Sequence, residues 1–193
     1  MIFVPSILAF GVIVAAYVNL GAKLATLRHD GVLKRIRTTP LPAAAYLSGV
    51  LGSTAATTLA ITGCTAVIGW LAFGAAPRAA GLPEIAGGLA LGVICFGSLG
   101  LALSSVARSA ESASPIANAS YLPVAIMSGI FDPTFSVPRW LSIAVGLLPV
   151  RALAQILQQG YTPVEHAPPT DLLVLCCWAA GGCALAVWRF RWH

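Results

Sequence analysis

Residues 85–107 read IAGGLALGVICFGSLGLALSSVA, from Ile85 to Ala107, with Glu84 before them and Arg108 after and no charge between. A helix rises about 1.5 Å per residue, so a run of this length crosses a hydrocarbon layer about 30 Å thick. Four further stretches lack Asp, Glu, Lys and Arg: Met1–Ala22, Thr38–Pro77, Ser112–Phe131 and Leu172–Trp188. A water-soluble fold needs a polar face on such segments, and these have none. With 9% charged and 58% hydrophobic residues and a mean hydropathy of +0.88, the chain reads as an all-α polytopic membrane protein with a single transmembrane domain.

Five spans are expected, at residues 2–22, 43–73, 84–107, 115–131 and 171–188. Pro40 and Pro42 precede the second and Gly74 to Pro77 end it; its length calls for tilt or an interfacial turn. The last is short and is anchored by Trp188, Phe190 and Trp192. Lys23, Arg28, Lys34, Arg35, Arg37, Arg108, Arg189 and Arg191 fall on one side of this arrangement, and Arg78, Arg139 and Arg151 on the other. The positive-inside rule puts the richer side in the cytoplasm, the N-terminus outside and the C-terminus inside a multi-pass protein of the cell membrane.

Between the fourth and fifth spans, Pro138-Arg139-Trp140 leads into the apolar run Leu141–Val150, too short to cross. Residues 138–159 are therefore expected to form a re-entrant or interfacial element on the outer side, ending in a short amphipathic helix, Ala152–Gln159. Gly63, Gly69, Gly87, Gly88, Gly92, Gly97 and Gly100 point to close helix packing. The chain has no convincing internal repeat, so an inverted-repeat transporter gains no support.

Several chemistries are disfavoured. Cys64, Cys95, Cys176, Cys177 and Cys183 lie inside spans without His or carboxylate at zinc-ligand spacing, so they read as small apolar residues and no metal is expected. The net charge of +5 sits beside spans with no aromatic-interleaved patch, which speaks against nucleic acid. No span carries a carboxylate or Lys near its middle, as ion-coupled carriers usually do. Glu84, Asp132 and Asp171 read as interfacial anchors, Glu111 as a partner of Arg108, and His29 as a solvated loop residue. Thr54, Thr57, Thr58, Thr62 and Thr65 on the second span leave two readings open: hydrogen bonds back to their own helix, or a mildly polar lining.

The stretch Leu27–Leu41, LRHDGVLKRIRTTPL, is longer than a turn between two spans requires. Val32, Leu33 and Ile36 have helical spacing among basic residues, so it is either a headgroup-binding topology signal or an amphipathic segment that docks on a soluble partner. Here the residues resemble a family. Arg28-x-Asp30-Gly31-x-Leu33-Lys34-Arg35-x-Arg37-x-Thr39-Pro40 is similar to the segment after the second span of type-2 ABC exporter permeases, above all those of the daunorubicin-resistance type. Pro123, Ser128-Gly129-Ile130-Phe131, Pro133, Pro138, Trp140-Leu141 and Pro149 match, in order, that family's fifth span and the external helices that follow.

The resemblance extends from about Pro5 to Arg189 and implies a transport subunit powered by a separate cytoplasmic ATPase. It implies coupling to that ATPase through Arg28, Asp30, Gly31, Leu33, Lys34, Arg35 and Arg37, within residues 26–40. It also implies an outer gate at Pro123, Ser128, Gly129, Pro133, Pro138, Trp140 and Pro149. No Gly-rich loop followed by Lys and Ser/Thr occurs, so ATP and Mg²⁺ belong to the partner chain. A homodimer or a pair with a related permease is expected, in contact with membrane lipid, moving a lipophilic or amphipathic drug, antibiotic or lipid. Family members also carry an interfacial helix and one more span ahead of the segment that starts here at Met1. An alternative reading is a non-transporting membrane scaffold or assembly subunit, or an inactive permease fragment.

Overall fold

A stretch that is apolar on every face is covered either by lipid or by other helices, and burial within the chain shows which helix stands at the centre. The computed structural model describes residues 3–30, 43–106, 110–128, 144–162 and 169–189. Helix α1 (Phe3–His29) is central: 61% of its apolar window is buried within the chain, against 17% for the second spanning helix. It is regular over Phe3–Ile13, π-helical over Val14–Asn19 and regular again over Leu20–His29. The expected span closed at Ala22; the helix instead continues to His29, because Leu24 and Ala25 remain buried and hold the backbone against its neighbours.

Helix α2 (Ala43–Phe73) has 31 residues, about 46 Å, longer than the hydrocarbon layer is thick. It stops at Gly74, whose φ of 63° is available to glycine at no steric cost. The amide of Gly74 donates to the carbonyl of Trp70 and that of Ala75 to Gly69, at 3.0 and 3.2 Å, which satisfies the terminal carbonyls. A single 3-10 turn, Ala79–Gly81, leads into α3 (Leu82–Val106).

Helix α4 (Ala110–Met127) begins before the expected residue 115 and carries Pro115 and Pro123 within it. Among the described residues four helices are long and apolar enough to span: Phe3–His29, Ser48–Phe73, Ala79–Ser104 and Pro169–Ala186. Helix α4 is the exception, since Glu111, Ser112, Ser114, Asn118 and Ser120 make it more polar. The chain closes with α5 (Pro149–Gln159) and α6 (Pro169–Arg189).

The helix α5, expected to begin at Ala152, starts at Pro149, where the fixed φ of proline suits a first helical position. Its Leu153 lies against Gly92, Ile156 against Gly88, and Gly160 just after it against Gly81. Ascending residues of α5 therefore meet descending residues of α3, and the helix stands upright beside α3 rather than flat on a surface. Ala152, Leu153, Ile156 and Leu157 are buried in the main core with Leu8, Val12 and Phe96. From Gly92 to Gly81 is about 16 Å along the chain, so this element lies alongside α3 for about half the thickness of a hydrocarbon layer.

Candidate functional site

The site grows from a seam between α1 and α3. A Cβ on Gly100 would lie 2.9 Å from the carbonyl oxygen of Ala16 and 3.0 Å from that of Tyr17. One on Gly21 would lie 2.8 Å from Leu103 Cδ2 and 3.3 Å from the Gly100 carbonyl. The two backbones thus cross with no room for a side chain. Below the crossing, toward the Lys- and Arg-rich end of α1, the Arg28 guanidinium donates to the carbonyl of Ser104 at 2.7 Å. Ser104 is in the last described turn of α3, near the end of the helix, where the dipole favours a cation.

The π-helical turn of α1 lies at the crossing, and Tyr17 stands on it. Turns of this kind often mark functional positions. The Tyr17 hydroxyl and Ser120 Oγ on α4 are 2.8 Å apart. Ser120 Oγ already donates to the carbonyl of Ala117 at 2.7 Å, which leaves Tyr17 as the donor to it. The Tyr17 and Tyr121 rings meet edge to face at 6.5 Å, and Phe10 lies 6.0 Å from Tyr121 on its other side.

A cavity of about 380 Å³ opens beside this aromatic group, within the range of small-molecule sites. Tyr17, Phe96, Tyr121, Val124, Pro149 and Trp178 are among its walls, and among the described residues none that lines it is charged. A second space of about 250 Å³ shares Leu99, Ala102, Trp178 and Leu185 with it and reaches Gly181 and Gly182 on α6. Trp178 is held by its indole Nε1, which donates to the carbonyl of Leu147 at 2.8 Å. Ser98 Oγ on α3 donates to the carbonyl of Cys95 at 2.8 Å and approaches that of Ala179 at 3.4 Å, binding α6 to α3.

Two charges lie where interfacial or loop positions were expected. Arg151 is on α5, and Asp171, in the first turn of α6, is only 6% exposed and feels the Arg151 charge. Asp171 Oδ2 and Gln159 Oε1 are buried with no hydrogen-bond partner among the described residues. Asp171 stands at the start of its span, as expected of a span-end residue, but as a carboxylate buried within the protein. Tyr161, beyond the end of α5, is buried, and burial pushes its phenol pKa up.

The residues expected to couple to an ATPase are divided by the structure. Arg28 is exposed and its guanidinium donates to the carbonyl of Ser104. Asp30 is exposed and pairs with His29 Nδ1 at 3.4 Å. Gly31, Leu33, Lys34, Arg35 and Arg37 lie outside the described residues. In the outer set, Pro123 is inside α4 between the cavity-lining Tyr121 and Val124, and Pro149 is itself in the wall. Ser128 Oγ donates to the carbonyl of Val124 at 2.6 Å. Gly129, Pro133, Pro138 and Trp140 lie outside the described residues.

The threonines of α2 resolve to one of their two readings. Thr54, Thr57, Thr58, Thr62 and Thr65 each donate to the carbonyl four residues earlier, at 2.8–3.0 Å. Sequence reasoning missed Tyr17, Ser120, Tyr121 and Trp178. A usable signal was there: Tyr17 and Tyr121 fall inside apolar stretches rather than at the interfacial belts where such rings usually collect.

The sequence profile of the ABC-2 type transporter family matches residues 1–161. The chain belongs to this family. The match covers α1 through α5 and ends before α6. No curated protein matches the chain. As an ABC-2 type transporter the chain is a multi-pass membrane transport subunit. The α1–α3 seam, the aromatic cavity and the upright α5 of this ABC-2 type transporter are accordingly parts of a permease.

Proposed function

We propose that the chain is the permease half of an ATP-driven exporter for lipophilic or amphipathic compounds such as drugs, antibiotics or lipids. The observation that carries the substrate class is the uncharged, aromatic cavity beside Tyr17, Tyr121 and Trp178 in a member of this family. Apolar walls reward burial of apolar surface, while a lone hydroxyl pair offers orientation without demanding a charged ligand. The resemblance to daunorubicin-resistance permeases supports the same class. ATP and Mg²⁺ are bound by a separate cytoplasmic ATPase subunit that docks on the basic segment 26–40, and a second permease copy or a related chain completes the transporter. Proline in α4 and the upright α5 provide the parts that rearrange on the outer side.

The test is ATP-dependent uptake of a lipophilic bisbenzimide dye into inside-out vesicles carrying the complex. Tyr121→Ala and Trp178→Ala should each lower uptake at least about fivefold, since each removes a wall of the cavity. The paired reversal Lys34→Glu with Arg35→Glu should abolish ATP dependence while leaving insertion intact. Full uptake in both cavity variants would exclude this cavity as the substrate path, and full ATP dependence in the paired variant would return the basic segment to a headgroup-binding role.

A further inference from the structure

Arg28 and Ser104 lie far apart in sequence, yet the guanidinium of one donates to the backbone carbonyl of the other at 2.7 Å. Arg28 is exposed, yet its guanidinium is anchored to its own chain, at the end of a seam already closed by close approach at Gly21 and Gly100. The bond falls in the last described turn of α3, where a cation opposes the negative end of the dipole. From Arg28 to Tyr17 along α1 is about 16 Å. At that far point the Tyr17 hydroxyl reaches across to Ser120 on a different helix, α4.

We infer that Arg28 is a positioning residue that clamps the basic end of α1 to α3, making the two helices one lever whose other end moves against α4 at the cavity. The inference rests on the exporter reading, because it needs an ATPase to displace the basic end. Without the clamp, the seam above it still holds the helices at Gly100, but their ends below Gly21 are free to splay. A push on α1 then bends α1 alone and does not reach the cavity. A lysine at this position keeps one charged donor for the carbonyl and preserves the clamp in part.

The experiment uses the complex purified with its ATPase, in a cysteine-free background, with spin labels at exposed positions. One pair joins α1 to α3, Lys23→Cys with Ile94→Cys; the other joins α1 to α4, Lys23→Cys with Ile116→Cys. Addition of ATP with vanadate should leave the 23–94 distance unchanged and shift the 23–116 distance by about 3 Å or more. In Arg28→Ala the ATPase should co-purify as before, but the 23–94 distance should now change with nucleotide, and Arg28→Lys should restore its constancy. Loss of the ATPase in Arg28→Ala would make Arg28 a docking contact and overturn the clamp. A 23–94 distance that stays constant in Arg28→Ala would overturn it too. Absence of ATPase from the unsubstituted complex, or no shift at 23–116, would instead overturn the exporter reading and the clamp with it.

Discussion

The indole Nε1 of Trp178 donates to the carbonyl of Leu147 at 2.8 Å, joining α6 to the turn that precedes α5. Trp178 lies well inside the span that begins at Pro169, so a carbonyl in irregular backbone is satisfied at depth by a side chain. Such backbone is tolerated among spans only when protein or water supplies its partners. Trp178→Phe keeps the ring's apolar contact and removes the donor. It should lower stability by about 1 kcal/mol, the net worth of one hydrogen bond. Thermal unfolding in detergent checks this, and an unchanged midpoint would show that the bond holds nothing.

At Gly100 the nearby atoms are the carbonyl oxygens of Ala16 and Tyr17, which belong to backbone and have little room to yield. Gly100→Val should destabilise the protein by about 1–3 kcal/mol as the helices are forced apart. Gly63 on α2 has nothing within 4 Å of where a Cβ would be. Gly63→Ala should therefore be neutral or slightly stabilising, because alanine is the better helix former. Equal effects at the two sites, measured side by side, would refute the close crossing.

Tyr17→Phe tests the link from α1 to α4. The edge-to-face contact with Tyr121 survives, while Ser120 Oγ loses the proton it accepts but still donates to Ala117. A stability loss of about 1 kcal/mol is expected, with dye uptake reduced more than ATPase binding. If uptake and binding fell together, the hydroxyl would be acting on the fold rather than at the cavity.

Charge asymmetry supports a cytoplasmic basic end and an outer position for the turn after α5. In a cysteine-free background, an impermeant thiol reagent on intact cells should modify Thr162→Cys and spare Thr26→Cys. Thr26 is on an exposed face of α1 and Thr162 is half-buried, so the expected labelling runs against simple exposure. The opposite pattern would invert the topology.

The membrane class and the long spans were legible from residues alone, because hydrocarbon excludes charge regardless of what the helix packs against. Ala43–Phe73 could be bounded in this way, with proline before it and Gly74 after it. The signal weakened where a neighbour supplied the shelter. The α1 helix runs past Lys23 to His29 because Leu20 and Leu24 pack with Val50, which composition along α1 does not reveal. Ala152–Gln159 read as an amphipathic helix ending a re-entrant or interfacial element of the outer side; the helix packs beside α3 because Gly81, just before α3, and Gly88 and Gly92 on it leave a groove for Gly160, Ile156 and Leu153.

Sequence by itself determined that this chain is helical, lies in a membrane and carries a basic segment after its first span, since transfer energy and helical rise depend only on local residue types. Only the tertiary structure decided which polar groups were already taken. It gave Arg28 a hydrogen bond to Ser104, buried Asp171 in the first turn of α6, and drew Tyr17, Ser120, Tyr121 and Trp178 around one cavity. Those relations join residues far apart in sequence, and no local rule fixes them; they follow from which helix backbones can approach, and that is settled by small residues meeting across a seam.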